Sequence, residues 1–283
     1  MFAAAIRLFP ARFATFCLIL AFAPIDRAFA ADASAWDGDA RSAARLLAAN
    51  ATGAQFRAGV EIRLAPGWKT YWRYPGDSGV PPRFDFSGSD NVKAVTVRWP
   101  APQRFSDSDG NTIGYNNGVI FPLQVEAQNP SEPVTLRLKL DYAVCEKLCV
   151  PAEAKAALAL TDASSANEAA LAAAESRVPR PSQVGAAGAL SIVSVRREAG
   201  SAPPRVLVDV RAPAGAKLAV FAEGPTPEWT LPLPEVSSGA PAGQQRFVFA
   251  LDGLPAETKP EGATLRLTAV AAEAAIEANY RLD

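Results

Sequence analysis

Every second residue is apolar from Val134 to Tyr142, where Val134, Leu136, Leu138, Leu140 and Tyr142 alternate with Thr135, Arg137, Lys139 and Asp141. A helix would scatter those five side chains around its circumference, whereas an extended strand puts them all on one face. The same period recurs in Phe56, Ala58, Val60, Ile62 and Leu64, in Val95, Val97 and Trp99, and in Val119, Phe121, Leu123 and Val125. Clusters of Pro, Gly, Asn and Asp separate the runs, at Ala65 to Gly67, Pro75 to Gly79, Ser106 to Asn111 and Asn129 to Pro133. Short half-buried strands with such punctuation predict an all-β sandwich.

Near Thr161 the composition shifts to Ala and Ser. Ser165-Ala-Asn-Glu168 has the spacing of a helix capping box, and the alanine-rich stretch to Ser176 favours a short helix that Pro179 and Pro181 end. Beyond Leu190 the strand signal resumes with Val206, Val208 and Val210, then Leu218 to Phe221, then Phe247, Phe249 and Leu251. Leu265 and Leu267, followed by Ile276, Ala278, Tyr280 and Leu282, complete a second β unit. The expected organisation is a signal peptide over 1–30, a first sandwich over 31–162, an Ala/Ser-rich, partly helical linker over 163–188 and a second sandwich over 189–283.

The first thirty residues read as an export signal: Arg7 and Arg12 form the basic flank, Phe13 to Ala23 the apolar run, and Ala28-Phe29-Ala30 a small-x-small cleavage site. Cleavage after Ala30 would remove Cys17 and leave Cys145 and Cys149 as the two remaining cysteines. No later segment approaches the roughly 18 apolar residues of a membrane-spanning helix, so the expectation is a soluble, stand-alone periplasmic protein. Removing Arg7, Arg12, Arg27 and Asp26 leaves 25 basic and 28 acidic residues. That slight negative charge, with Lys and Arg scattered singly, argues against a nucleic-acid partner. Histidine is absent, which excludes Ser-His and Cys-His nucleophile pairs and the commonest metal ligand. With two cysteines and no histidine, a Cys/His zinc site cannot be assembled within one chain. Neither a metal nor a cofactor is expected.

What chemistry remains rests on the run Tyr142-Ala-Val-Cys-Glu-Lys-Leu-Cys-Val-Pro151. Disulfide formation needs Cα atoms within about 4.4 to 6.8 Å, but four extended steps cover about 13 Å, so the chain must turn at Glu146-Lys147-Leu148. An unbroken strand from Val134 puts Cys145 in phase with the polar positions Arg137, Lys139 and Asp141. After the turn, Ala154, Ala156, Leu158 and Leu160 leave Cys149 out of phase with the apolar set. Both sulfurs then meet on the solvent-side face of a hairpin, and one bulge would reverse this. A closed loop of about five residues stabilises by only about 2 kcal/mol on the chain-entropy model. Such a pair suits exchange, in which a partner's thiolate attacks one sulfur. Lys147 favours a thiolate and Glu146 opposes it, so the order of attack stays open. The competing reading is a non-catalytic periplasmic protein-binding sandwich with a purely structural disulfide.

The cysteine run to Glu153, together with Ala65-Pro-Gly-Trp-Lys-Thr-Tyr-Trp-Arg-Tyr-Pro-Gly-Asp-Ser-Gly79, resembles the periplasmic N-terminal domain of the DsbD thiol:disulfide interchange family, most closely its ScsB-like branch. Phe221-Ala-Glu-Gly-Pro-Thr-Pro-Glu-Trp229 is similar to that branch's second periplasmic domain. The resemblance implies immunoglobulin-like sandwiches and a thiol-disulfide oxidoreductase of the protein-disulfide reductase type. Its partners would be a membrane-embedded thiol relay protein and oxidised periplasmic proteins. Carried over, Cys145 and Cys149 form the redox pair. The family's capping loop falls at Arg104 to Asn111, with Phe105 as its lid residue, and Tyr115 and Tyr142 flank the site. Trp68, Tyr71 and Trp72 identify the family and otherwise read as strand core.

Overall fold

The computed structural model describes Met1 and residues 31–107, 110–161, 165–198, 200, 203–272 and 274–283. Residues 2–30, which include Cys17 and most of the expected export signal, lie outside the described residues. Among those described, no helix is long and apolar enough to cross a membrane.

The fold is mostly β. One five-stranded sheet has the order β1 (Asp37–Gly38), β2 (Ser42–Thr52), β3 (Gln55–Leu64), β9 (Val119–Ala127) and β6 (Val92–Val97). A six-stranded sheet has the order β11 (Cys149–Leu160), β10 (Val134–Cys145), β4 (Lys69–Gly76), β8 (Gly110–Asn116) and β7 (Gln103–Asp107), with β5 (Arg83–Asp85) also paired to β10. The predicted alternation supplies much of their common core: Val60, Ile62, Phe121, Leu123, Leu136, Leu138 and Leu140 are buried in one cluster, joined by Leu46 from β2, a strand the sequence pattern did not mark. Trp99, Phe84 and Tyr115 pack edge-on around Phe121, with ring centroids 5.0 to 5.4 Å away.

Two four-stranded sheets follow. One has the order β12 (Arg180–Ser182), β19 (Ala274–Arg281), β18 (Thr264–Ala271) and β15 (Leu218–Glu223), and the other β13 (Ser191–Glu198), β14 (Arg205–Arg211), β17 (Gln245–Ala250) and β16 (Glu235–Ser237). All their pairings are antiparallel except β12 with β19. Their shared core holds Val206, Val208, Val210, Phe247, Phe249, Leu265 and Leu267. These sheets form a second β unit with a core of its own.

Helix α1 (Glu168–Ser176) lies within the stretch expected to connect the two units. It packs on the first of them. Leu171 is fully buried against Leu47 and Ala49, and Gly59 leaves it room, because a Cβ there would stand 2.7 Å from Leu171 Cδ2. Arg57 ties the helix down through ion pairs to Glu168 and Glu175, which raise its pKa above the usual arginine range. The capping box does not form. Ser165 Oγ donates to the Ala48 carbonyl and accepts from Asn167 N, Asn167 is the N-cap, and the Glu168 carboxylate is engaged by Arg57.

In the second unit Asp209 is buried on β14, its side chain 2% exposed. It accepts from Arg246 at 2.6 and 2.9 Å and from Arg196 and Ser194 at 3.1 Å. The Arg246 hydrogen bonds, ahead of every other influence, hold its carboxyl below the ordinary value. A depressed carboxylate contributes stability that is present above its unfolded pKa, about 3.9, and is lost as pH falls through the folded one. Asp209→Asn should therefore destabilise the protein at pH 7 and flatten the acid limb of its stability curve below about pH 4, as measured by urea unfolding across pH. The expected cost is about 2 to 3 kcal/mol, less than for a fully buried pair because Arg196 is half-exposed.

Candidate functional site

Twelve consecutive pairs join β10 to β11, from Val134 opposite Leu160 to Cys145 opposite Cys149. No bulge interrupts them, so the parity argument holds to the end of the hairpin. Tyr142 and Val144 face the main core, while Ala143 and Cys145 face away from it. The turn is Glu146 to Leu148, and the two cysteines form a disulfide with Cα atoms 4.1 Å apart.

The outward face is not bare at this end of the sheet. Cys145 is only 7% exposed, covered in a small cluster with Ala143 and Tyr71, whereas Cys149 is exposed. The two sulfurs are therefore inequivalent, which local charge alone did not predict. Leu148, beside Cys149, keeps 79% of its surface open to solvent.

Tyr71 is the contact that sequence reasoning missed. Its ring is 1% exposed, and its hydroxyl donates toward Cys149 Sγ at 2.9 Å. Two backbone features place it there. Gly114 on β8 comes so close to β4 that a Cβ would stand 1.9 Å from the Thr70 carbonyl oxygen. Gly79, at φ +128°, crosses the tyrosine ring where a Cβ would be 2.3 Å from it. Only glycine tolerates that approach and that dihedral together. Thr70, fully buried, ties β4 to β10 by donating to the Ala143 carbonyl at 2.9 Å. The sequence signal was the phase of Tyr71, in register with Lys69 opposite Cys145.

The structure sorts the expected flanking residues differently. Tyr115 lies in the main core with its hydroxyl donating to the Pro100 carbonyl at 2.8 Å, and burial pushes its pKa well above the ordinary value. Tyr142 is also on the core face, 2.9 Å from Ser42 Oγ, and burial raises its pKa too. Both occupy the face opposite the disulfide, because strand alternation sends them inward. Phe105 sits on β7, its ring centroid 5.8 Å from Lys69 Nζ, and Lys69 is the cross-strand neighbour of Cys145. The segment expected as a capping loop is a hairpin, β7 to β8. Asn111 anchors it by donating its backbone N–H to Asp77 and accepting from Arg104 and Ser106. Ser108 and Asp109, part of the expected capping loop, lie outside the described residues.

Residues 40–161 match the family model described as thiol:disulfide interchange protein DsbD, N-terminal. No curated protein matches the chain. Among solved structures, the crystal structure of the N-terminal periplasmic domain of ScsB from Proteus mirabilis superposes with a TM-score of 0.71 at 20% identity. The match covers 89% of this chain and 98% of that one, so the shared fold spans both β units. The segment that matches the DsbD N-terminal domain is the one that holds both cysteines, Tyr71 and the hairpin.

Proposed function

We propose that the protein is a periplasmic thiol-disulfide oxidoreductase that passes electrons from a membrane-embedded thiol relay to oxidised periplasmic proteins through Cys145 and Cys149. In this reading residues 1–30 are an export signal, and 31–162 and 189–283 are immunoglobulin-like sandwiches joined through 163–188. The observation that carries it is the asymmetry of the pair: an exposed Cys149 backed by a covered Cys145, within a segment matching a thiol-disulfide interchange family.

The chemistry follows from that asymmetry. A donor thiolate attacks Cys149 Sγ in line with the existing bond, forming a donor–Cys149 disulfide and expelling Cys145 as a thiolate that takes up a proton. The donor's second thiolate then attacks its own sulfur in the mixed disulfide, releasing Cys149 as a thiolate and leaving the donor oxidised. Two electrons have moved to the pair. In the second half-reaction Cys149 attacks the acceptor's disulfide and Cys145 resolves the adduct, restoring the Cys145–Cys149 bond and reducing the acceptor. The Tyr71 hydroxyl, 2.9 Å from Cys149 Sγ, can donate to the thiolate formed there in each half-cycle, and charge-assisted hydrogen bonds of this kind are the strong ones.

Equilibration against glutathione redox buffers tests the proposal. An exchanging pair should have a reduction potential above about −300 mV, whereas a value at or below that level marks a bond resistant to the cellular thiol pool and would reduce the hairpin crosslink to a brace.

A further inference from the structure

The ladder between β4 and β8 pairs Lys69, Thr70 and Tyr71, then resumes only at Gly76. Within that gap, three consecutive residues of β4 are held by the second β unit. The Trp72 ring lies 5.7 Å from that of Phe221. Arg73 donates to the Glu223 carboxylate at 2.7 and 2.8 Å and also to Glu277. Tyr74 donates its hydroxyl to the Leu231 carbonyl. Glu223 ends β15, Glu277 lies on β19, and Leu231 belongs to the segment after β15, so the grip comes from separate elements.

The junction is not a surface ion pair. The Arg73 side chain is 17% exposed, Glu223 13% and Glu277 28%. Burial opposes the Arg73 charge, but the hydrogen bonds and attraction of the two carboxylates outweigh it and raise its pKa. Arg266, with Nε 3.7 Å from Glu277, supplies a second cation. Arg73 and its two carboxylates form a mostly desolvated group, in which removing one member is costly, and the half-exposed Arg266 balances its charge. Outside the gap, Arg104 on β7 pairs with Glu235 on β16 at 2.6 Å, so the second unit also touches the hairpin that carries Phe105.

Tyr71 is the last residue of β4 before this gap, and its hydroxyl meets Cys149. We propose that the second β unit is a positioning clamp: by gripping Arg73 through Glu223 and Glu277 it fixes the strand that aims Tyr71 at Cys149, and thereby sets the exchange equilibrium of the disulfide. Arg73 is a positioning residue, since it touches neither sulfur. This inference rests on the exchange reading above.

The test compares full-length variants in glutathione redox buffers. Tyr71→Phe removes a donor that favours the reduced form, so the equilibrium should move toward the disulfide by about tenfold, equivalent to about 30 mV for two electrons. Arg73→Met combined with Glu223→Gln and Glu277→Gln removes the clamp and leaves behind only the half-exposed charge of Arg266. It should shift the equilibrium in the same direction by at least about threefold, and adding Tyr71→Phe should then give no more than Tyr71→Phe alone. Arg73→Lys keeps the charge but loses the forked geometry, and should reproduce part of the shift in a protein that keeps its fold by circular dichroism. The clamp is overturned if Tyr71→Phe shifts the equilibrium while the Arg73 variants do not, or if the two effects add in full. A pair that fails to equilibrate with glutathione at all sinks the exchange reading and this inference with it.

Discussion

A Cys145→Ser variant should accumulate a long-lived mixed disulfide through Cys149 when offered a thioredoxin-like protein activated as an aromatic disulfide, and a Cys149→Ser variant should form at least about tenfold less in the same time, because exchange depends on access to the attacking sulfur. In the first variant the remaining sulfur is the exposed one, with the Tyr71 hydroxyl 2.9 Å away in the intact disulfide. In the second, the remaining sulfur belongs to a residue 7% exposed, covered by Tyr71 and Ala143. Mass spectrometry of the adduct over time gives both rates. Equal rates, or a faster Cys145, would show that the cover opens freely and would remove the basis for assigning the order of attack. Neither substitution should unfold the protein, since a crosslink closing so short a loop contributes only about 2 kcal/mol.

Trp72→Ala should be the most damaging single change for stability, lowering it by about 3 to 5 kcal/mol as judged by urea unfolding. Trp72 is fully buried, packs on Phe221 of the second β unit and has the Arg73 guanidinium 4.3 Å above its ring centroid. Truncation therefore opens a cavity where both units contribute walls. Its indole Nε1 is buried without a hydrogen-bond partner among the described residues. Trp72→Phe should consequently cost much less, under about 2 kcal/mol, because the lost ring volume is partly offset by shedding an unsatisfied donor. If the two substitutions cost the same, the indole N–H has a partner in solution and the cavity argument must be revised.

The cysteine hairpin was legible in the sequence because its strands alternate without interruption for twelve pairs. Period two is a rigid rule where no bulge intervenes, so the facing of Cys145 followed from counting. The same count already assigned Tyr142 to the inward set with Leu140, and the structure keeps it there. Family resemblance drew it toward the disulfide, and chain proximity is a poor guide to facing in a strand. Tyr71 escaped for the opposite reason. Its neighbours Trp72 and Tyr74 are core residues, and a run of aromatics looks like core throughout. Alternation along β4 already turns Tyr71 away from Trp72, but what covers its ring there, and what breaks the ladder after it, depends on glycines and on a second unit about 150 residues further along. No local pattern carries that information. The helix was legible from its alanines, but its docking depends on the pairing of Leu171 with the space left by Gly59, which propensity does not encode.

The uninterrupted ladder has a kinetic consequence for any adduct on Cys149. Because twelve backbone pairs fix the two strands whether or not the sulfurs are joined, a freed Cys145 thiol stays tethered next to the mixed disulfide at a very high effective concentration. Recapture should therefore outrun dissociation, and the intact protein should discharge its partners almost as soon as it engages them. Its complexes in the cell would be fleeting encounters, and the beam-like hairpin is what makes them so.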